Sequence, residues 1–168
     1  MLKTVAGALV GAMVLAGAAL PARAESGLVS FQTMTLDAAK KLAENALESC
    51  RGSDYQVSVA VFDHAGREQV LLRDRYAGLF TPEVARRKAR TALNFNSDTE
   101  DMIDSTMPGN TEFGARQIPG ALMLGGGVKV VAGGRTVGAV GVSGAPTGEQ
   151  DAACARAGIE AVILDLEM

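Results

Sequence analysis

Residues 125–144 have the sequence GGGVKVVAGGRTVGAVGVSG, and this stretch decides how the rest of the chain is interpreted. At first sight its glycines suggest a phosphate-binding loop. A Walker loop, however, requires a glycine, four residues, Gly-Lys-Ser/Thr and then a helix, and G-x-G-x-x-G must open a helix. Here Val128 to Ala132 and Thr136 to Val142 have strand patterns on either side of the two-residue turn Gly133-Gly134. The stretch therefore predicts a β-hairpin rather than a nucleotide loop.

The other periodic segments place this hairpin in an α+β domain. Before this hairpin, the sequence predicts a helix capped by Thr35, a hairpin of Gln56–Phe62 and Glu68–Arg73, and a helix from an N-cap at Thr81 to about Phe95. A loop-rich stretch over 97–120 follows that helix and leads to the hairpin just described. After the hairpin, the sequence predicts a last helix from Thr147 to about Val162. This order favours an antiparallel sheet with helices packed on it and argues against a doubly wound parallel sheet. Gly138 and Gly141, inside the last strand, predict close approach of another backbone or a ligand.

The N-terminus has the layout of a secretory signal peptide. Lys3 precedes an apolar run from Val5 to Leu20, and Ala22-Arg23-Ala24 is an A-x-A cleavage site. We expect residues 1–24 to be removed, leaving 25–168 as a single domain in the periplasm or outside the cell, with no membrane attachment after cleavage.

Composition excludes several classes of function. The chain has 168 residues and a net charge of −3, which gives no reason to expect a nucleic-acid partner. Both cysteines lie in the part expected to be exported, so one disulfide is chemically permitted. Two cysteines and one histidine lack the number and spacing of ligands that zinc requires.

Three polar residues attract attention by position. Lys88 falls within the apolar face of the second helix, where its ammonium either reaches out to solvent or points into a pocket to meet a carboxylate or a ligand anion. His64 sits at a hairpin tip, as an exposed turn residue or as a metal or haem ligand. Ser143 lies between glycines, but with a single histidine in the chain it is interpreted as a strand-end residue rather than a nucleophile.

Four segments carry a resemblance to a known family. They are VSVAVFDHAGREQVLLR (57–73), TPEVARRKARTA (81–92), PGALMLGGGVKVV (119–131) and VGAVGVSGAPTGEQD (137–151). The last is the most specific. Together they resemble the GlcG/HbpS-like family of haem-binding and haem-degrading proteins, which is also seen as the C-terminal domain of PduO.

The resemblance implies a profilin-like antiparallel sheet of about four to five strands, with the first and last helices antiparallel on it, and a homo-oligomer. It implies a disulfide between Cys50 and Cys154. It also implies a ligand pocket between the second helix and the loops near 119–127 and 143–151. The residues that match the family pattern there are Lys88, Thr91, Gly126, Gly127, Gly141, Ser143, Gly144 and Asp151.

The sequence departs from the family at one informative position. Members often carry a histidine after the glycine of the first hairpin turn, where this chain has Arg67. Axial ligation of haem iron would then fall to His64, Tyr76 or Met107, since His, Tyr and Met all ligate haem.

Three functions follow from the resemblance. The leading hypothesis is an exported haem- or tetrapyrrole-binding module without catalytic turnover. The second is an accessory protein or enzyme that acts on a small organic acid, with Lys88 and Arg116 holding the carboxylate. The third is an assembly module with no ligand.

Overall fold

The computed structural model describes residues 27–167, so the predicted signal peptide lies outside the described residues. Within that range, no helix has the length and apolar character needed to span a membrane. The elements in chain order are α1 (Leu36–Arg51), β1 (Ser58–Asp63), β2 (Glu68–Arg73), α2 (Thr81–Phe95), a 3-10 helix (Phe113–Gln117), β3 (Gly127–Ala132), β4 (Arg135–Ser143), α3 (Gly148–Glu160) and α4 (Ile163–Glu167).

The four strands form one antiparallel sheet in the order β2-β1-β4-β3. Each predicted hairpin is present, and β1 and β4 pair at the centre, with Val59 opposite Val142. Both glycines of the second turn, Gly133 and Gly134, have positive φ, the conformation that a two-residue hairpin turn demands. The α+β prediction is confirmed.

The two faces of the sheet carry cores of different size. The valines Val57, Val59 and Val61 pack with α1 and α3 in the larger core. On the other face, Ala60 and Phe62 pack with Ala85 and Ala89 of α2. Because side chains alternate along a strand, β1 serves both cores at once.

Helix α2 lies unusually close to the sheet, and glycine makes this possible. A Cβ on Gly141 of β4 would collide with the carbonyl oxygen of Ala85. The predicted close approach at Gly141 is therefore confirmed, and the approaching backbone is that of α2. This contact fixes α2 against β4 and so fixes the positions of the side chains along the helix.

A disulfide joins the two helices on the opposite face. Cys50 near the end of α1 and Cys154 in α3 are bonded, with their Cα atoms 5.5 Å apart and 104 positions between them in sequence. The pairing implied by the resemblance is therefore present in the structure. Gly158 of α3 packs on the backbone of Leu42 and Ala46 of α1, which lets the two helices approach closely.

The helix starts match the sequence patterns at two of three positions. Thr35 accepts a hydrogen bond from the backbone N–H of Ala38, and Thr147 forms a capping box with Gln150. The predicted N-cap at Thr81 is wrong, because α2 starts at Thr81 and its N-cap is Phe80. The Thr81 hydroxyl lies 2.8 Å from both the Gly78 carbonyl oxygen and Ser58 Oγ, so it ties the helix start to β1 instead.

Candidate functional site

The residues singled out by the family resemblance converge on a buried ion pair. Lys88 Nζ donates to Asp151 Oδ2 at 2.7 Å and to the Val142 carbonyl oxygen at 3.0 Å. Asp151 Oδ1 accepts from the backbone N–H of Ala145 at 2.9 Å. Lys88 is 1% exposed and Asp151 3%. Of the two interpretations of Lys88, the structure supports the second, with a carboxylate of the chain itself as the partner.

Glycines enclose this pair tightly. A Cβ on Gly126 would lie 2.6 Å from Asp151 Cβ and 2.9 Å from Lys88 Nζ, and Gly126 has a φ of +113°. We call Lys88, Gly126, Val142 and Asp151 the closed cluster. Its members fill the space between α2, the end of β4 and the start of α3.

The predicted site residues around the closed cluster are also engaged in packing. Gly127 donates its N–H to Thr99 Oγ1 at 2.9 Å, and its Cα lies against the Lys88 backbone so closely that a Cβ would collide with it. Ser143 is buried at the end of β4, as expected for a strand-end residue. Gly144 has a φ of +138° and packs on the backbone of Gln56 and Val57.

Burial dominates the electrostatics of the closed cluster. It lowers the pKa of the Lys88 ammonium and raises the pKa of the Asp151 carboxyl, and the attraction between the two groups offsets part of each effect. A pair of this kind costs desolvation energy and is maintained only while both partners are present. The arrangement is that of a structural connection between three elements.

An open region lies beyond the C-terminal half of α2. Two adjoining hollows of about 460 and 360 Å³ share His64 and Leu93. We call them together the His64 groove. Its further lining residues are Phe31, Ala65, Gly66, Arg90, Asn94, Asn96, Gly134, Arg135 and Thr136.

The His64 imidazole is oriented by a backbone carbonyl. Its Nδ1 lies 2.7 Å from the Thr136 carbonyl oxygen, and its ring stacks on Phe31 with 5.0 Å between centroids. A carbonyl oxygen only accepts hydrogen bonds, so in the neutral ring Nδ1 carries the proton and Nε2 keeps its lone pair. Among residues 27–167, Nε2 has no hydrogen-bond partner. This is the state in which a histidine binds a metal.

Cations and apolar side chains border the same groove. Arg90 is exposed, with its guanidinium carbon 5.1 Å from the centre of the Phe62 ring. Neither Arg90 nor Arg135 forms an ion pair within the described part of the chain. Leu93 and Phe31 contribute apolar surface between them.

A smaller hollow of about 200 Å³ adjoins the His64 groove and shares Arg90 and Asn94 with it. We call it the α2-loop hollow, and its other lining residues are Thr91, Phe95, Ile118, Pro119, Gly120 and Ala121. Thr91 accepts from the backbone N–H of Leu122 at 2.9 Å, and Arg87 donates to the Gly120 and Ala121 carbonyls. Of the residues predicted from the family pattern, Thr91 is the one that lines this hollow.

The other candidate ligands lie apart from this region. Tyr76 is 78% exposed on the loop before α2, and Met107 lies in the 97–120 loop with its Sδ 3.7 Å from Arg116 Nη2. The Arg116 guanidinium also donates to the carbonyls of Thr106 and Ile103. Lys88 is paired with Asp151, so its charge is not available to a small acid, whereas Arg116 is held by carbonyl oxygens and forms no ion pair in the described part of the chain.

Sequence reasoning missed most of the groove. Arg90, Leu93 and Arg135 belong to different elements, and no spacing in the sequence links them to His64. The contact that orients His64 joins two hairpin ends 72 positions apart. The antiparallel pairing of β1 with β4 places the turn of the first hairpin beside the turn of the second. A prediction of that pairing from the sequence would have indicated that His64 lies near Thr136.

Known proteins resemble this chain in sequence and in fold. Residues 34–160 match the model of the family described as haem degrading protein HbpS-like. A double mutant of Streptomyces reticuli HbpS is 39% identical, with a TM-score of 0.75 over 85% of this chain and 97% of that one.

Two further matches come from other proteins. The crystal structure of a PduOC–haem complex is 27% identical, with a TM-score of 0.72 over 77% of this chain and 94% of that one. An uncharacterized 15.0 kDa protein of Citrobacter freundii is 32% identical over 130 residues, which is 76% of this chain and 91% of the relative. The chain belongs to the HbpS-like family.

Proposed function

We propose that this protein is an exported, oligomeric haem- or tetrapyrrole-binding module that binds its ligand in the His64 groove without catalytic turnover. The observation that carries the proposal is the His64 imidazole, which the Thr136 carbonyl holds in the tautomer with a free Nε2. The family match and the haem complex of PduOC support the choice of ligand.

The solitary position of His64 favours haem over a bare metal ion. Among residues 27–167, no group of three or more His, Cys, Asp or Glu side chains is arranged to hold a metal. One imidazole cannot by itself hold a bare zinc or iron ion. Haem brings four nitrogens of its own, and one protein ligand is then sufficient to fix the iron. His64 would supply that axial bond.

The rest of the groove suits the porphyrin. Leu93 and Phe31 offer apolar surface to the macrocycle, and the stacking of Phe31 on His64 limits rotation of the imidazole. Arg90 and Arg135 would pair with the propionates, because guanidinium groups form strong hydrogen bonds with carboxylates. Thr91 would contact the ligand only from the α2-loop hollow.

The lining of the groove favours binding over turnover. The two hollows have no Asp or Glu among their lining residues, so a carboxylate is not at hand to move protons. Lys88 and Asp151 are buried in the closed cluster and bonded to each other. We assign the closed cluster, with Gly127, Ser143 and Gly144, the role of shaping α2 and its neighbouring loops, on which the ligand then rests.

Export is the second part of the proposal. The signal-peptide pattern in residues 1–24 would direct the chain out of the cytoplasm, to the periplasm or beyond. The Cys50–Cys154 disulfide supports this, since disulfides persist in oxidising compartments.

Titration of haemin into the chain lacking residues 1–24, followed at the Soret band, tests the binding proposal. We expect saturation at one haem per chain and a clear loss of affinity in His64→Ala. Tyr76→Phe and Met107→Leu serve as matched controls and should bind as the wild type does. No saturable shift in the wild type would refute haem binding, and a wild-type shift retained in His64→Ala would refute the assignment of His64.

A further inference from the structure

The Thr136 carbonyl, which orients His64, lies where β4 extends beyond its neighbour β1. Val131 and Thr136 form the second pair from the two-residue turn between β3 and β4. Pairs in an antiparallel ladder alternate between hydrogen-bonded and non-hydrogen-bonded, and the pair that closes such a turn is hydrogen-bonded, so the Thr136 carbonyl points away from β3. Pairing with β1 ends at Asp63 and Gly138, so no β1 residue lies opposite Thr136. The His64 imidazole donates to this carbonyl instead.

A β-bulge lies next to this carbonyl. The register between β3 and β4 shifts after Val130, which pairs with Gly138, so Val137 is an extra residue on β4. A bulge bends its strand and redirects the neighbouring side chains, and bulges are common next to active sites. Here Thr136 directs its hydroxyl towards the C-terminal end of α2, where Oγ1 donates to Asn96 Oδ1 at 2.6 Å. Through this bond, the second hairpin is joined to α2.

Asn96 is the C-cap of α2 and has left-handed backbone angles, with φ of +50° and ψ of +40°. Glycine is the usual residue at a left-handed helix end, and asparagine is found there less often. The cap itself therefore does not require an amide side chain, and the amide has a separate role as acceptor of the Thr136 hydroxyl. The Asn96 backbone carbonyl accepts from Lys129 Nζ at 3.1 Å, which ties Asn96 to β3 as well. We call Thr136 and Asn96 the positioning pair.

We propose that the positioning pair sets the tautomer of His64 and so makes its Nε2 available to iron. The bond between the two side chains fixes the direction of the Thr136 carbonyl, the carbonyl keeps the proton on Nδ1, and Nε2 keeps its lone pair. This inference rests on the proposed function for the identity of the ligand, but the tautomer is a property of the ligand-free protein. Thr136 and Asn96 are positioning residues, because they act on the iron through His64.

The effect on metal binding follows from the chemistry of the imidazole. A hydrogen bond at one ring nitrogen fixes the orientation of the ring and raises the basicity of the other nitrogen, which binds the metal. Substitution of such outer partners typically lowers metal affinity about 10- to 100-fold. The positioning pair is one step further from the iron than the carbonyl, so we expect the lower end of that range.

Nitrogen-15 NMR of the untagged, ligand-free protein tests the tautomer directly. His64 is the single histidine of the chain, so the signals of its two ring nitrogens are identified at once. At about pH 9, where an ordinary histidine is neutral, the wild type should have a protonated Nδ1 and an unprotonated Nε2. Thr136→Val removes the hydroxyl but keeps the branched shape, and Asn96→Gly removes the amide but suits the left-handed cap. We expect a mixture of the two tautomers in each.

Conservative and matched variants separate this role from a general loss of order. Thr136→Ser keeps the hydroxyl donor and Asn96→Asp keeps the acceptor, so both should retain the wild-type tautomer. Thr111→Val makes the same substitution at an exposed loop residue and should change nothing. Circular dichroism of every variant confirms that the fold is retained.

Haemin titration of the same variants measures the effect on binding. Thr136→Val and Asn96→Gly should each lower the affinity about tenfold. The double variant should lose no more than either single variant, because the two side chains act through one hydrogen bond.

The outcomes distinguish this inference from the proposed function. A wild type with its proton on Nε2, or Thr136→Val and Asn96→Gly variants with the wild-type tautomer, would overturn the role of the positioning pair. A double variant that loses the product of the two single effects would show that the two residues act separately, which also overturns it. A tautomer that shifts as expected, in a protein that does not bind haemin, would confirm that the pair sets the tautomer and would refute the proposed function alone.

Discussion

The closed cluster and the His64 groove lie at opposite sides of α2 and differ in almost every physical respect. In the cluster, Lys88 and Asp151 are buried, bonded to each other and enclosed by glycine. In the groove, His64 Nε2 has no hydrogen-bond partner and Arg90 forms no ion pair within residues 27–167, although the Arg90 guanidinium lies over the Phe62 ring. The polar groups of the closed cluster hold the fold together, whereas those of the His64 groove are available to a ligand.

This difference separates the motif that identifies the family from the residues proposed to bind. The most specific stretch of the sequence, residues 137–151, supplies Asp151 to the closed cluster and Gly141 to the contact with α2. Those positions tolerate few residue types because packing is tight there. The stretch that identifies the family in this chain therefore consists of residues that hold the fold together, and not of the residues proposed to bind the ligand.

The largest expected effect comes from breaking the closed cluster. Lys88→Met leaves the Asp151 carboxylate buried without its partner, and we expect a loss of about 3–5 kcal/mol in the free energy of unfolding. Chemical denaturation measures this loss. Lys88→Met/Asp151→Asn should recover part of it, because the neutral amide still accepts from the Ala145 N–H.

Lys41→Met is the matched control for that substitution. The Lys41–Asp165 pair has the same 2.7 Å separation, but its side chains are 50% and 45% exposed. An exposed pair contributes about 0–1 kcal/mol. Equal losses in the free energy of unfolding for Lys88→Met and Lys41→Met would show that the buried pair contributes no more to stability than a surface pair does.

Removal of the disulfide should be nearly as costly to stability. The bond closes a loop of about 100 residues, for which the chain-entropy model gives about 4.7 kcal/mol and experience gives about 2–5. Thermal unfolding of Cys50→Ala/Cys154→Ala measures the loss. Haem affinity should stay unchanged, because the disulfide joins α1 and α3 on the face of the sheet away from α2. A loss of haem affinity in the same variant would indicate that haem binds on the face of the sheet that carries α1 and α3 and not in the His64 groove.

The dependence of stability on pH should also distinguish the cluster. The folded-state pKa of Asp151 is raised, so the folded chain keeps this proton at pH values at which the unfolded chain has lost it. The stability that this group contributes therefore falls as pH rises from the ordinary carboxyl pKa through the raised one. Because the pKa of Lys88 is lowered, its contribution rises as pH increases from the lowered value toward the ordinary lysine value.

Denaturation of the wild type and of Lys88→Met/Asp151→Asn across this range isolates the pair. The stability of the wild type relative to the variant should pass through a minimum between the two titrations. A maximum there would mean that attraction within the pair outweighs its desolvation.

The smallest effects on stability belong to the groove. Arg135→Ala should change the free energy of unfolding by no more than about 0.5 kcal/mol, since the side chain is exposed and forms no ion pair in the described chain. It should weaken haem binding up to about fivefold, the value of one exposed ion pair. Arg67→Ala, exposed on the first hairpin turn but outside the groove lining, is the matched control and should leave affinity unchanged.

The sequence predicted what depends on local pattern. The hairpins, the caps at Thr35 and Thr147 and the glycine contact at Gly141 all follow from spacing, and the Cys50–Cys154 bond followed from the family resemblance. The sequence left open where the Lys88 ammonium points, because that depends on Asp151 in another element. It missed Arg90 and Arg135 because a groove formed by the ends of separate elements leaves no periodic signal.

The most direct test of the groove is chemical rescue of its histidine. His64→Gly, loaded with haemin, should lose the absorption spectrum of the wild-type complex, and added imidazole should restore that spectrum by taking the place of the missing side chain. Recovery would establish that His64 binds the iron in the open groove. If haemin-loaded His64→Gly has the same spectrum as the wild-type complex, and added imidazole leaves that spectrum unchanged, His64 does not bind the iron and the account is contradicted.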